Sequence, residues 1–349
     1  MSRVVVFRAL QLGDMLCAVP VLRALRSAYP YARITLIGLP WSRRLAHRYP
    51  HYIDDVVVFP GHPEMPEREP QLDRVPAFLR EVRGLDADLA LQLHGSGRVT
   101  NPLLALLGAH SRAGFHDASA CRPADGTFIP WPTVGYEAQR LLTLVEALGL
   151  ESRGAELEFP VHDDDEAELH ALARDGGWEL SSTEYVCIHP GARHAVKRWA
   201  PERFAAVADA LADRGLRVVL TGTSAESAIT GAVAAAMRHH AVDAAGPMSV
   251  GALAALMRGA RLVVCNDTGV SHLTAALRVP SVIVFLAADL DRWAPLDTGR
   301  HRALYDPASC VTRVDGARDV GRPCEYGVMP DDVLQEIELL PQPERAHAA

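Results

Sequence analysis

Residues 185–222 read YVCIHPGARHAVKRWAPERFAAVADALADRGLRVVLTG, and their order decides the fold. Tyr185–His189 is a short apolar run without alternation, the pattern of a strand buried on both faces. Pro201 then opens a helical pattern to 214, as proline does at a first helical position. A second apolar run follows at 217–221. Strand, crossover helix and strand make a βαβ unit, and hence a parallel sheet. The alternation continues downstream with helices at 225–237 and 250–257, a strand at 262–265, a helix at 272–277 and a strand at 282–285. A terminal helix is expected at 330–340, with a frayed tail over 341–349. Upstream it is the same: strands at 4–7, 33–37, 55–59 and 85–93, helices at 15–28, 42–49 and 103–107. The Pro-rich, charged stretch 62–76 reads as a surface loop. The acidic stretch 151–168, with Pro160, follows a helix over 136–148 and reads as a linker. The expectation is two domains, 1–160 and 161–349, each an open parallel α/β sheet, with a cleft between them. Ligands in such sheets bind beyond the carboxyl ends of the strands, so chemistry is sought in the loops that follow them.

The chain has 349 residues, enough for two ordinary domains, and 49% hydrophobic with 22% charged residues describe a globular protein. A net charge of −8 argues against a generic nucleic-acid binder. The charge is uneven. Residues 1–48 hold eight arginines (Arg3, Arg8, Arg23, Arg26, Arg33, Arg43, Arg44 and Arg48) against one acid, Asp14. Such a region either faces an anionic substrate or membrane surface, or merely solvates helix faces. Cys17, Cys121, Cys187, Cys265, Cys310 and Cys324 are scattered, without zinc-ligand spacing. A reducing cytoplasm fits that usage. A strand begins at Val4 with no signal-like segment before it. No apolar run approaches the roughly 20 residues of a spanning helix, so any membrane contact is expected to be peripheral, at the inner face.

Four loops could carry chemistry. After the first strand, Gln11-Leu12-Gly13-Asp14 leads into a helix. Asp14 reads either as an N-cap or as a general base, and Gly13 would let a substrate approach the backbone. After 185–189, the loop Pro190–Trp199 holds Arg193, His194, Lys197 and Arg198. That set suits a diphosphate, with Lys as a point charge and Arg as a fork, or is a solvated basic loop. After 217–220, Gly222 and Glu226 follow. Glu226 either compensates a helix dipole or accepts from ribose hydroxyls. After 262–265, Asn266-Asp267-Thr268-Gly269-Val270-Ser271-His272 places small and polar residues at a helix start, which is an anion site or a plain cap. Other features carry less. Gly95-Ser96-Gly97 lacks the third glycine of a dinucleotide fingerprint. Asp86 and Asp88 precede their strand and so lie at the wrong end of the sheet. Asp163, Asp164 and Asp165 read as solvated linker. No metal cluster is legible.

Taken in order, these blocks resemble glycosyltransferase family 9, the heptosyltransferase-like family of lipopolysaccharide core assembly. The likeness covers most of the chain. It rests on residues 7–14 (FRALQLGD), on His189-Pro190-Gly191-Ala192, Lys197-Arg198-Trp199 and Pro201-Glu202-Arg203-Phe204, on 218–222 (VVLTG), and on Asn266 to His272 with Ala275-Ala276-Leu277. The resemblance implies a GT-B fold, two Rossmann-like domains with the acceptor on the first and the donor on the second. It implies an inverting, metal-independent transfer, typically from ADP-heptose, with the nucleotide sugar as co-substrate and no other cofactor. By position it implies a catalytic base in Asp14, a diphosphate lysine in Lys197, ribose and adenine contacts in Glu226 and Met248, and a donor loop of Asp267, Thr268, Gly269 and His272. The expected partners are the nucleotide sugar and an anionic glycan or glycolipid. A nucleotide-sugar epimerase would share the architecture without needing an acceptor. A non-catalytic nucleotide-sugar-binding module would bind the donor without turnover.

Overall fold

The computed structural model describes residues 1–120, 122–178, 184–305 and 327–341. The expected tail over 341–349 lies outside these residues save for Pro341, and Cys121, Cys310 and Cys324 lie outside them entirely. The chain divides into two compact units, Met1–Leu157 and Glu158–Ala349.

In the first unit, six parallel strands alternate with helices: β1 (Arg3–Phe7), α1 (Leu12–Ala28), β2 (Arg33–Gly38), α2 (Ser42–Arg48), β3 (Asp55–Val58), α3 (Val75–Gly84), β4 (Leu89–Gln92), α4 (Thr100–Leu106), β5 (Ser111–His116), β6 (Thr127–Pro130) and α5 (Glu137–Ala147). The sheet order is β3-β2-β1-β4-β5-β6. β1 and β4 are apolar and buried because sheet neighbours flank them and helices cover them. Val5, Phe7, Ile37, Phe59, Phe78 and Ala90 belong to one face's core. α1 is buried along most of its length, as its apolar run from Met15 to Leu22 requires, and packs against α5. Arg23 donates to the carbonyls of Arg153 (3.1 Å) and Glu156 (2.8 Å). Those bonds tie the extended stretch after α5 to the first unit.

The second unit repeats the plan: α6 (Asp163–Asp175), β7 (Tyr185–His189), α7 (Pro201–Asp213), β8 (Arg217–Leu220), α8 (Ser227–Ala236), β9 (Val242–Asp243), α9 (Val250–Arg258), β10 (Val263–Asn266), α10 (Gly269–Leu277), β11 (Ser281–Phe285), α11 (Leu290–Trp293), β12 (His301–Tyr305) and α12 (Pro330–Glu338). Its order is β9-β8-β7-β10-β11-β12, again all parallel. Each sheet therefore runs 3-2-1-4-5-6, with the direction of strand addition reversing between the first and fourth strands. In the first unit that switch lies between β1 and β4, and in the second between β7 and β10. This is where such sheets hold ligands.

Several expectations move. α1 begins at Leu12, not at residue 15, so Asp14 sits in its first turn and Gly13 is buried inside it. Gln11 holds the N-cap position, so the N-cap reading of Asp14 falls. Asp163–Asp165 are not solvated linker: they form the first turn of α6, where Asp165 is buried and accepts from the His162 N–H at 2.8 Å. Acidic residues are stabilising there because the helix amino end carries partial positive charge. The surface loop expected at 62–76 ends earlier, since α3 starts at Val75 with Pro76 in its first turn. Strands β5, β6, β9 and β12 were not legible. β9 spans only two residues, and β5 (SRAGFH) carries polar residues at both ends. Asp86 and Asp88 anchor β1: Asp88 accepts from the N–H groups of Ser2 and Arg3, and Asp86 pairs with Arg3 at 2.9 Å.

The basic amino-terminal region is mostly structural. Arg3 and Arg33 pair with Asp86 and Asp55, and Arg26 with Asp54 while also binding carbonyls. Arg23 closes the linker and Arg8 is fully buried. Arg43 and Arg44 stand exposed on α2.

Candidate functional site

At the switch point of the second sheet, the loop after β7 meets the end of β10. Asn266, the last residue of β10, is fully buried. Its Nδ2 donates to the Pro190 carbonyl at 2.9 Å, and its Oδ1 accepts from the Trp199 N–H at 3.0 Å. One side chain thus clamps both ends of the basic loop. Trp199 anchors the far end: its indole packs edge-to-face on Phe204 and its N–H donates to the Val328 carbonyl at 2.8 Å. Arg198 bonds the Ala192 carbonyl of its own loop at 2.8 Å, whereas Arg193 is exposed.

Lys197 reaches across to Asp267, with Nζ 2.7 Å from Oδ2. The carboxylate is 4% exposed and the ammonium side chain 26%. A buried carboxylate without this partner would carry a desolvation cost of several kcal/mol. Asp267 therefore holds the lysine in place, and its negative charge unsuits it to face phosphates itself. The ammonium keeps donor capacity for an anion on its exposed side. Next to it, Thr268 caps α10 by accepting from the Val270 N–H at 3.3 Å, and Ser271 closes the turn onto the Thr268 carbonyl. Among the described residues, the N–H groups of Thr268 and Gly269 have no protein acceptor, which is what an anion site at a helix start requires. His272 is 4% exposed and packs edge-on against Trp293, with centroids 5.7 Å apart.

A second group forms after β8. Glu226 Oε2 accepts from the N–H and the hydroxyl of Thr223, both at 2.9 Å. A Cβ on Gly191 would fall 2.2 Å from Glu226 Oε1. Gly191 is therefore glycine because the Glu226 carboxylate lies against the β7 loop. Gly222 packs less tightly, with its would-be Cβ 3.3 Å from Glu226 Cβ and from Thr230 Cγ2. Gly246 bridges to Thr223, which brings the half-buried Met248, two residues on, to the same sheet end. His189 is buried beneath, with Nδ1 3.0 Å from Thr221 Oγ1. Burial pushes its pKa down, against the pull of Glu226.

In the first unit, Asp14 lies beside a buried cation. Arg8 donates from Nε to the Asp14 carbonyl at 2.8 Å and from Nη1 to the Leu93 carbonyl. Its Nη2 lies 3.7 Å from Asp14 Oδ1 and 3.5 Å from Glu137 Oε1. Glu137 in turn pairs with Arg140 at 3.6 Å. The Asp14 side chain remains 30% exposed. One turn along α1, burial holds the Cys17 thiol far above its ordinary pKa, so it is inert as a nucleophile. Arg8 and Glu137 are site residues that the sequence reading did not single out, and Asn266, read there as part of the anion loop, turns out to clamp the basic loop. The usable signals were an arginine ending an apolar strand and an asparagine ending another, since a polar group in a buried place needs a partner.

Two Rossmann-type units, one with a lysine and a helix start at its switch point, are the layout of the GT-B class of glycosyltransferases. The profile of glycosyltransferase family 9 (heptosyltransferase) matches residues 75–314, and the chain belongs to that family. It is 27% identical over 301 residues to lipopolysaccharide heptosyltransferase 3 of Escherichia coli, covering 81% of this chain and 83% of that protein. Among solved structures, a family 9 glycosyltransferase of Veillonella parvula superposes with a TM-score of 0.73 at 22% identity, covering 87% of this chain and 86% of that one. The E. coli ADP-heptose LPS heptosyltransferase II gives 0.71 at 20% identity, covering 97% and 98%. No helix among the described residues is long and apolar enough to cross a membrane. Among the same residues no group of three or more His, Cys, Asp and Glu is placed to hold a metal ion.

Proposed function

We propose that this glycosyltransferase moves a heptose from ADP-heptose to a hydroxyl of a lipopolysaccharide-core-type acceptor, with inversion. The observation that carries the reading is the Lys197–Asp267 pair across the β7/β10 switch point, beside the start of α10. The donor's diphosphate sits against Lys197, Arg193 and the N–H groups of Thr268 and Gly269. These protein cations and dipoles supply the charge that a metal would otherwise bring. Glu226 accepts from the ribose hydroxyls, Met248 lies along the adenine, and Gly222 and His272 shape the loops. The relatives support the sugar and the acceptor through their names, as lipopolysaccharide and ADP-heptose heptosyltransferases.

Asp14 takes the proton from the acceptor hydroxyl as its oxygen forms a bond to the anomeric carbon. The bond from that carbon to the diphosphate oxygen breaks, and ADP leaves with the electron pair. Negative charge grows on the diphosphate during the step, so fixed donors there lower the barrier, each by about 2.7–4 kcal/mol. General-base help adds roughly 10²–10⁴-fold. The experiment pairs two variants. Lys197→Ala should weaken ADP binding in calorimetry by at least tenfold. Asp14→Asn should bind ADP as the parent does and lose most transfer. Unchanged affinity in the first, or full turnover in the second, refutes the respective role.

A further inference from the structure

The Gly95-Ser96-Gly97 turn lacks the third glycine of a dinucleotide fingerprint. It lies in the loop after β4, beside the switch point of the first sheet. Gly95 and Gly97 have φ of +71° and +89°, and a Cβ on Gly97 would fall 2.3 Å from both Asn101 Nδ2 and the Phe115 carbonyl. This loop is held from several sides. Asp117 accepts from Ser96, a bond that leads in drawing its carboxyl pKa down to about 2. The His94 N–H donates to Gln92 Oε1 at 2.9 Å, and Thr100 Oγ1 donates to the His94 carbonyl at 3.3 Å. The two glycines let the loop turn tightly without strain and bring its backbone close to its neighbours.

Against this loop, within the first unit, lies a cavity of about 170 Å³ lined by Glu64, Glu67, His94, Ser96, Arg98 and Thr100, with Met65 and Pro66 as its apolar patch. His94 Nδ1 accepts the Ala9 N–H at 3.3 Å, which fixes the tautomer with the proton on Nε2. Among the described residues that Nε2–H has no protein acceptor. Burial, with the Arg8 charge nearby, holds the ring's pKa at about 3, so it stays a neutral donor throughout the ordinary pH range. Arg98 is neutralised by Glu64 at 2.5 Å. The lining is thus one neutral donor, hydroxyls, an ion pair and a further carboxylate, with no spare cation. Such a set repels phosphates and carboxylates, and it matches groups that both donate and accept, the hydroxyls of a sugar ring. His94 is also bonded into the same backbone as Asp14: Arg8 grips the Leu93 and Asp14 carbonyls together.

We propose that this cavity is a subsite for an uncharged, hydroxylated sugar ring of the acceptor, and that His94 Nε2–H is its specificity-determining donor. The proposal rests on the reading that the first unit takes the acceptor. It adds a place for one neutral ring to the anionic acceptor that the arginine count suggests.

The first test needs no turnover. With the side-chain histidine signals of the full chain observed by NMR, methyl α-glucopyranoside at tens of millimolar is expected to shift His94. Glucose 6-phosphate at equal concentration is expected to shift it less. The His94→Ala protein should show the sugar's binding weakened roughly three- to tenfold, the worth of one neutral hydrogen bond, and His94→Gln should recover part of it through its amide N–H. If the Ala variant does not fold, Glu64→Gln on the exposed rim serves instead, and it should narrow the preference for the neutral sugar. The second test is transfer to core oligosaccharide: His94→Ala should raise the acceptor KM with kcat and ADP affinity within about threefold. A phosphosugar that binds as well as the neutral one, or sugar binding indifferent to both His94 and Glu64, overturns the subsite. Absent transfer in the parent chain with His94-dependent sugar binding intact would instead overturn the proposed reaction.

Discussion

Glu137→Gln probes the buried cation beside Asp14. Arg8 is wholly buried and, among the described residues, its only full counter-charge of comparable burial is Glu137, 2% exposed and 3.5 Å away. Removing one partner of a buried pair costs about 3–5 kcal/mol. Three facts lower that figure here. The contacts at 3.5 and 3.7 Å are longer than an ideal charged hydrogen bond. Arg8 keeps two backbone carbonyls. The glutamine carbonyl can also accept in place of the carboxylate. The expected loss is about 2–3 kcal/mol of stability in the first unit, and at roughly 2–4 °C per kcal/mol for a domain of this size the midpoint should fall by about 5–10 °C. The assay is calorimetric unfolding of the parent, Glu137→Gln, Arg8→Met and the Arg8→Met/Glu137→Gln double variant. Groups sharing one network should be non-additive by about 1–3 kcal/mol. A drop below 1 °C for Glu137→Gln, or additive single and double changes, would refute the claim that the pair holds the loop of Asp14.

Three further outcomes are expected. Asn266→Ala strands the Pro190 carbonyl and the buried Trp199 N–H, at about 1–3 kcal/mol each, and urea unfolding should show a loss of at least 2 kcal/mol together with weaker ADP binding. Gly191→Ala meets only the movable tip of Glu226, so the midpoint should shift by less than about 2 °C while ADP binding falls roughly tenfold, the worth of one hydrogen bond to a charged group. A loss of stability without loss of binding would reverse that assignment. His301 and His94 are held neutral by burial, at about 4 and about 3 against the ordinary histidine value of 6.5. The unfolded chain therefore binds more protons between pH 6.5 and 4, so stability should fall as pH is lowered through that window, by about 1 kcal/mol per unit for each ring. His301→Gln should flatten the slope measured by denaturant titration at several pH values.

The parallel α/β plan was legible because β1, β7, β10 and β11 are continuous apolar runs, each followed by a polar loop and a helix. Strands at the sheet margins were not: β9 is two residues long and β5 mixes charge with glycine, so neither carries a period. Lys197 and Asp267 were both visible as candidates, yet their pairing was not, because 70 residues separate them and only the β7/β10 ladder brings them together. α1 starts three residues before its sequence pattern does, because Leu12 and Gly13 look like loop although the helix needs only helical dihedrals there. Arg8 and Glu137, 129 residues apart, were hidden for the same reason as Lys197 and Asp267.

The strand order that repeats in the two units has a consequence for how the chain can be handled. Each sheet is completed from its own stretch of sequence, and within the described residues the polypeptide passes from one to the other once, after Leu157. A gene split at that point should yield two fragments that each retain a whole core. With the proposed base in one and the proposed diphosphate lysine in the other, neither fragment alone should turn over. Reconstituted activity would then rise with the product of the two fragment concentrations, so that a property of strand order could be read out as a reaction order.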